Sequence, residues 1–327
     1  MKFDVREKRV KKWDKLVPEY RITNDLEPIS VEFKSYPTVE QLAEMCVGPL
    51  LATWSRAGDV NNRRYDVYNL TDEDKMKILY RAMHNNGFLP GFRDMINFVL
   101  CIDGIHHQET THLYRHKWSA SAMCTGDNPQ NVCDIAMPES YEKLGFKDRY
   151  LKLVDDAMNL YCDMMNTHEI SNQDCRLVTP KTVLHFVYPT MNFNELMRFL
   201  GQRLDLQVQP NEEYILALRT YVALCEIYPF MADKFNIKNK SNFYIHETKT
   251  NFGSALFQPN EENKEVLEWT TLDDYLQKSK DELAGSDDSS ILRKIQKECE
   301  NRLTELLEYS KRTWPYLYTE EYKKDWA

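Results

Sequence analysis

The chain has 327 residues, with 42 Lys and Arg against 51 Asp and Glu, for a net charge of −9 and a pI near 5.5. That balance argues against a binder of nucleic-acid polymers, while 42% hydrophobic residues allow a substantial core in one large domain or two ordinary ones. Ten glycines, with no GxGxxG and no P-loop lysine motif, exclude the glycine-rich nucleotide folds but leave room for a small anion in one local basic pocket.

Residues 1–27 form a highly charged N-terminal arm, in which Trp13, Leu16, Val17 and Tyr20 either dock on a body or leave the segment mobile. ISVEFKSYP (29–37) alternates and reads as a strand. Thr38 then caps a helix whose Leu42, Met45 and Cys46 recur at helical spacing. Residues 57–70 are polar and loop-like. Thr71, with Asp74 three residues on, opens a helix with Met76, Leu79, Tyr80 and Met83 on one stripe. Asn85-Asn86-Gly87 is expected to end it in the left-handed conformation. FLPGF leads into MINFVLCIDGI (95–105), the strongest strand pattern, expected to stop at Gly104. A helix and a loop follow, through Asp127.

A single long helix is expected over 139–166, with Tyr150, Leu153, Val154, Ala157, Leu160, Tyr161 and Met164 on its packed side. CRLVTPKTVLHFVYPTM (175–191) reads as a turn and a second strong strand. Helices follow from Asn192 to Leu204 and from Pro210 to Tyr228, where proline suits a first turn. From about 235 the chain is polar and irregular. A last helix, Ser289 to Thr313, carries Ile291, Leu292, Ile295, Cys299, Leu303, Leu306 and Leu307 as a seam for the body or for another subunit. Ser286, Asp287 and Asp288 favour its N-terminal end. The expected class is α/β (α+β), a mixed sheet flanked by helices with a helical C-terminal extension. The eight cysteines form no CxxC pair, so reduced buried thiols are expected. No segment reads as a signal peptide or a membrane span, and the expected setting is soluble, intracellular and cytoplasmic.

Chemistry concentrates in few places. Arg115-His116-Lys117 is a basic triplet followed by Ser119, Ser121 and Thr125-Gly126, hydroxyls and close backbone suited to a phosphate or a cofactor oxygen. The bland alternative is a solvated helix end. Arg203 falls on the apolar stripe of Leu196, Phe199 and Leu200. A guanidinium there is either a structural salt bridge, to Asp205 or a carboxylate elsewhere, or a group that grips an anion or polarises a carbonyl. Arg176, ahead of a strand, can fork onto a phosphate. His106, His107, His112 and His116 invite a metal hydrolase, but HExxH spacing is absent and no metal ligand set is assigned.

Together these segments resemble the flavin-dependent thymidylate synthases. Arg115-His116-Lys117 is similar to the start of the family motif, CRLVTP (175–180) to its Arg followed by an apolar pair and Pro, and FVYPTMN (186–192) to the strand ending in a flavin-contacting Asn. NFNELMRFLGQRLDLQVQ (192–209) resembles the helix whose Arg contacts the pyrimidine, and SYPTVEQLAEMCVGPLLATWS, ending at Ser55, the first strand and helix. The resemblance covers 28–235 as one domain and leaves 236–327 as an extension. It implies a one-carbon transfer from methylenetetrahydrofolate to C5 of a pyrimidine deoxynucleotide monophosphate, with FAD as hydride carrier, NADPH as reductant and a homotetramer as the assembly. Arg203, Arg176, Thr125, Gly126 and His112 would meet the nucleotide, and Arg115, His116, Lys117, Asn192 and Ser55 the cofactor. The motif is altered: Lys117 replaces an Arg, His112 a Gln, Ala122-Met123 the Asn-Glu pair, Asp127-Asn128 the late Arg-Tyr, and Phe88 a flavin-contacting His. The alternative is a non-catalytic nucleotide-binding or structural homologue. The enzymatic reading would fail if Arg203 were tied to an internal carboxylate with no open cleft beside Asn192.

Overall fold

A computed structural model describes residues 15–46, 48–50, 70–85, 88–113, 120–124, 133–204, 211–235, 290–320 and 322. The described chain is mixed α/β. Four strands form one antiparallel sheet in the order β2 (Ser30–Ser35), β3 (Asn97–His106), β6 (Leu184–Asn192), β4 (Ala120–Cys124). A two-stranded parallel sheet joins β1 (Tyr20–Asn24) to β5 (Cys133–Met137), with Tyr20 opposite Cys133. The end of the N-terminal arm is thus docked, and Leu16 packs against the cluster of Tyr161, Cys162, Met165 and Cys175.

Local chemistry starts the helices where the sequence places them. Thr38 Oγ1 accepts from the Gln41 N–H at 3.2 Å and Gln41 Oε1 accepts from the Thr38 N–H at 2.8 Å, opening α1 (Val39–Met45). Thr71 and Asp74 do the same for α2 (Asp72–His84), which buries Met76, Leu79, Tyr80 and Met83. At its end the C-cap Asn85 is extended (φ −102, ψ 113) and its N–H closes the last turn on Arg81 O at 2.8 Å, while Asn86 and Gly87, where the left-handed residue is expected, lie outside the described residues. The residues before β3 fold into a short helix, α3 (Pro90–Met95), rather than a plain lead-in.

β3 does not stop at Gly104. It runs on to His106, and Gly104 is the unpaired residue of a bulge between Asp103 and Ile105, at φ 78. A Cβ at that point would overlap the Pro28 carbonyl, so a bare backbone is required there. After α4 (His107–Leu113), the stretch expected as loop contains β4, which completes β6 from Ala120 opposite Thr190 to Cys124 opposite Phe186. Small residues gave it no β signal; the open edge of β6 supplies the partner.

The expected long helix over 139–166 is two, α5 (Glu139–Lys143) and α6 (Lys147–Asn166). Gly145 at φ 76 separates them, with its N–H on Glu142 O at 3.1 Å and the Phe146 N–H on Tyr141 O at 2.7 Å, a paired C-terminal cap. α6 buries Val154, Met158, Tyr161, Cys162 and Met165, whereas Leu153 and Leu160, expected on the packed side, face out. α7 (Asn172–Cys175) and a 3₁₀ turn, Arg176–Val178, lead toward β6.

α8 (Phe193–Arg203) and α9 (Asn211–Ile227) pack together, and α10 (Ile291–Thr313) lays Ile295, Cys299, Leu303 and Leu306 against the main core. Of the two partners open to that seam, it takes the body. Ser290 caps α10, while Ser286 to Asp288 lie outside the described residues. The loop expected over 57–70 is also outside them, except Leu70. All seven described cysteine side chains are free thiols, and six are buried. No described helix is long and apolar enough to cross a membrane.

Candidate functional site

Three residues assigned from the sequence are described, and each is held differently. Arg203 ends α8, whose Leu196, Phe199 and Leu200 are buried as the stripe requires. Its Nη1 donates to Glu213 Oε2 in the first turn of α9. Glu213 is buried, and the Arg203 side chain is only 17% exposed. The salt-bridge alternative for Arg203 is therefore present, with Glu213 as a carboxylate elsewhere; Asp205 lies outside the described residues. One half of the condition set against the enzymatic reading is met.

Asn192 sits where β6 turns into α8. Its Oδ1 accepts from the Glu195 N–H at 2.9 Å, the ordinary N-cap bond, and its Nδ2 is 3.5 Å from Asp94 Oδ1. Arg176 is the least engaged. Its backbone carbonyl accepts from Thr179 Oγ1 at 2.8 Å, but its side-chain Nε is buried and has no hydrogen-bond partner among the described residues. A buried, unmatched guanidinium donor is costly unless something not present here completes it.

Ser55, Arg115, His116, Lys117, Thr125 and Gly126 lie outside the described residues; so does the side chain of His112 on α4. Phe88, at the position of the family's histidine, lies under the Arg81 guanidinium, 4.6 Å from ring centre to Cζ.

Around Arg203 the fold assembles polar groups of which the sequence singled out only His106, as a metal candidate. His106 closes β3, Glu109 lies on α4, and Glu212 precedes Glu213 on α9. His106 Nδ1 accepts from the Glu109 N–H at 3.3 Å, so its proton sits on Nε2, which faces Glu212 Oε2. Glu212 Oε1 is buried without a hydrogen-bond partner among the described residues. Burial pushes the Glu109 carboxyl up to about 8, the charge of Glu212 adds to the rise, and Arg203 opposes it. Asp25, beyond β1, is pushed up to about 6 by burial first and by Glu212 second. At neutral pH Glu109 is a neutral acid able to donate a proton or a hydrogen bond, beside a histidine–carboxylate pair able to accept one.

What signal announced this cluster in sequence was slight. Glu109, Glu212 and Glu213 were not singled out, and two acids in the first turn of α9 are the ordinary complement of a helix N-terminus. The histidine run, considered for a metal, is split instead. His106 joins the carboxylates, while the rings of His107 and His185 lie edge to face at 6.0 Å. Among the described residues no group of three His, Cys, Asp or Glu is arranged to hold a metal. A groove of about 610 Å³ lies elsewhere, at the C-terminal end of α9, lined in part by Val39, Arg302, Tyr309 and Trp314. Arg203 meets the opposite end of that helix.

Residues 34–229 match the family model Thy1, thymidylate synthase complementing protein. No curated protein matches the chain in sequence. Among solved structures, a UMP/dUMP methylase, PolB, from Streptomyces cacaoi bound with 5-Br dUMP is similar at 16% identity and a TM-score of 0.48, covering 63% of this chain and 92% of that one. Thymidylate Synthase X (ThyX) from Helicobacter pylori with FAD and dUMP is similar at 13% identity and a TM-score of 0.44, covering 61% and 95%.

Proposed function

The chain belongs to the family of thymidylate synthase complementing proteins, and from that membership we propose that it is a flavin-dependent thymidylate synthase-like transferase. It adds a one-carbon unit from methylenetetrahydrofolate to C5 of a pyrimidine deoxynucleotide monophosphate, dUMP or a related nucleotide. FAD would be its hydride carrier and NADPH the reductant of the flavin, and the chain works as a homo-oligomer, a tetramer by the family resemblance.

The observation that carries the reading is the buried Nε of Arg176, which has no partner among the described residues and suits a phosphate oxygen. For the nucleotide, then, a described residue fits. The flavin has weaker support, since the amide of Asn192 already caps α8 and the other residues assigned to the cofactor lie outside the described set. The flavin, when bound, supplies the reducing equivalents. The chain's own part is binding and charge. Arg176 holds the phosphate. Arg203, kept in place by Glu213, polarises a base carbonyl as negative charge builds on the ring. Glu109, neutral at pH 7, adds a hydrogen-bond donor to the same cluster.

A second reading has specific support: a non-catalytic nucleotide-binding homologue. Arg203 is paired, Asn192 is occupied as a cap, and Ala122-Met123 and Asp127-Asn128 replace the motif's functional pairs. The absorption spectrum of the purified protein separates the two. A yellow protein that turns over dUMP or dCMP with folate and NADPH supports the transferase. A colourless one that binds dUMP supports the second reading, and one that binds neither flavin nor nucleotide ends both. Arg176→Ala is expected to weaken dUMP binding about tenfold or more while leaving deoxyuridine binding unchanged. Equal affinity of wild type and variant for dUMP would remove Arg176 from the site. Arg203→Ala is a poorer probe, because it leaves Glu213 charged and buried.

A further inference from the structure

α6 carries two apolar faces, and the fold uses one. The outward face presents Phe146, Leu153 and Leu160 at 49%, 66% and 48% exposure. They recur every seven residues, and the half-buried Ala157 lies four positions after Leu153, so the four line a single stripe along the helix, while Met164, four after Leu160, packs on the cluster of Tyr161, Cys162, Met165 and Cys175. Leu177, the most exposed large apolar residue described, belongs to the 3₁₀ turn that packs on α6. Scattered exposed leucines are ordinary; a seam in register along a 20-residue helix is not.

Charge along the same helix says what fits the seam. The first seven residues hold Lys147, Arg149 and Lys152 against Asp148, whereas the rest hold Asp155, Asp156 and Asp163 and no base. Asp155 is engaged by the Tyr20 hydroxyl, while Asp156 and Asp163 share one flank of the stripe with Arg149 and Lys152. A helix basic at one end and acidic at the other is complementary to itself when reversed.

We propose that the outward face of α6 is the contact between two copies of this chain, packed antiparallel about a two-fold axis near Asp156 and Ala157. In that arrangement Leu153 of each copy meets Leu160 of the other. Arg149 of each faces Asp163 across the seam, and Lys152 of each reaches the Asp156 carboxylates beside the axis. The contact is isologous, as a two-fold requires. It also lies on the helix that carries the Arg176 turn, so pairing places a second copy beside that residue's element. This deepens only the assembly part of the function proposed above. Its test reads mass rather than spectrum or turnover, so either proposal can fail while the other stands.

The experiment is sedimentation equilibrium of the full chain over a wide concentration range. Wild type is expected as a dimer or a multiple of one, and Leu153→Asp/Leu160→Asp as a species of half that mass with an unchanged circular-dichroism spectrum. Arg149→Glu and Asp163→Arg are each expected to weaken association about tenfold, because each sets like charges across the seam. The double variant Arg149→Glu/Asp163→Arg restores it, since the swapped pair is again complementary. A wild-type monomer throughout overturns the proposal, whether the face stays open or is covered by the chain's own residues or by another protein. So does an oligomer indifferent to the leucine changes. Should the leucine variant not fold, the charge series decides: a double swap no tighter than the single changes rejects the interface.

Discussion

Glu109 is a buried carboxylic acid on α4. Its carboxyl, ordinarily near 4.5, is raised to about 8 by burial and by Glu212, against the pull of Arg203. A raised carboxyl supports the fold fully only below its unfolded pKa, and that support is lost as pH climbs toward the folded value. For Glu109 the window runs from about 4.5 to about 8; for Asp25 a smaller loss falls between 3.8 and about 6. Glu109→Gln is therefore expected to flatten the pH dependence of the urea midpoint across the upper window. The gain over wild type should be largest at its alkaline end. A slope identical in both proteins would show that Glu109 does not carry the linkage. The helical spacing showed that Arg203 lies among buried neighbours. Its partner was not legible, because Glu213 stands ten positions on, at the start of the next helix, and only the packing of α8 on α9 brings the two together.

Among the elements, glycine was misleading in one strand and informative in one helix. Gly104 looked like a strand terminator, yet β3 passes through it as a bulge pressed against Pro28. Gly104→Ala is expected to cost about 1–3 kcal/mol for the left-handed backbone alone, and more for the overlap with the Pro28 carbonyl. Thermal and urea unfolding measure it, and a loss below about 0.5 kcal/mol would mean the bulge relaxes freely. Gly145 was hidden inside an apparently continuous helical pattern and in fact ends one helix and starts the next. α6 shows the limit of periodicity itself. Leu153 and Leu160 keep helical spacing as well as Val154 and Met158 do, and pattern alone does not tell which stripe meets a core.

At the scale of the whole molecule, the C-terminal helix is built into the main core rather than appended to it. Leu303 and Leu306 of α10 join the same cluster as Leu216 and Tyr221 of α9, although α10 begins well past the last residue matched by the family model. Leu303→Ala is expected to cost about 2–5 kcal/mol and to lower the melting temperature of the whole chain in one transition. A separate, early transition for α10 would show it to be a unit of its own. Polar contacts tie the far side as well: Asp233 accepts from the Tyr80 hydroxyl at 2.6 Å and pairs with His84 at 2.9 Å, fastening the end of α9's following turn to α2.

Local chemistry was enough for the starts of α1, α2 and α8, because Thr38, Thr71 and Asn192 cap with atoms supplied within three residues. Periodicity was enough, too, for the class of the fold, and the resemblance of segments lying in order along the chain for the family. Tertiary structure alone decided that a small-residue stretch at 120–124 pairs with β6 and that α6 turns its leucines outward. Only the fold set Arg203 against Glu213 and gathered His106, Glu109 and Glu212 around them. The reason is range: caps and periodicity act within a turn or two of chain. Edge pairing, the choice of buried face and the neutralisation of a buried charge depend on groups brought near only when distant segments meet.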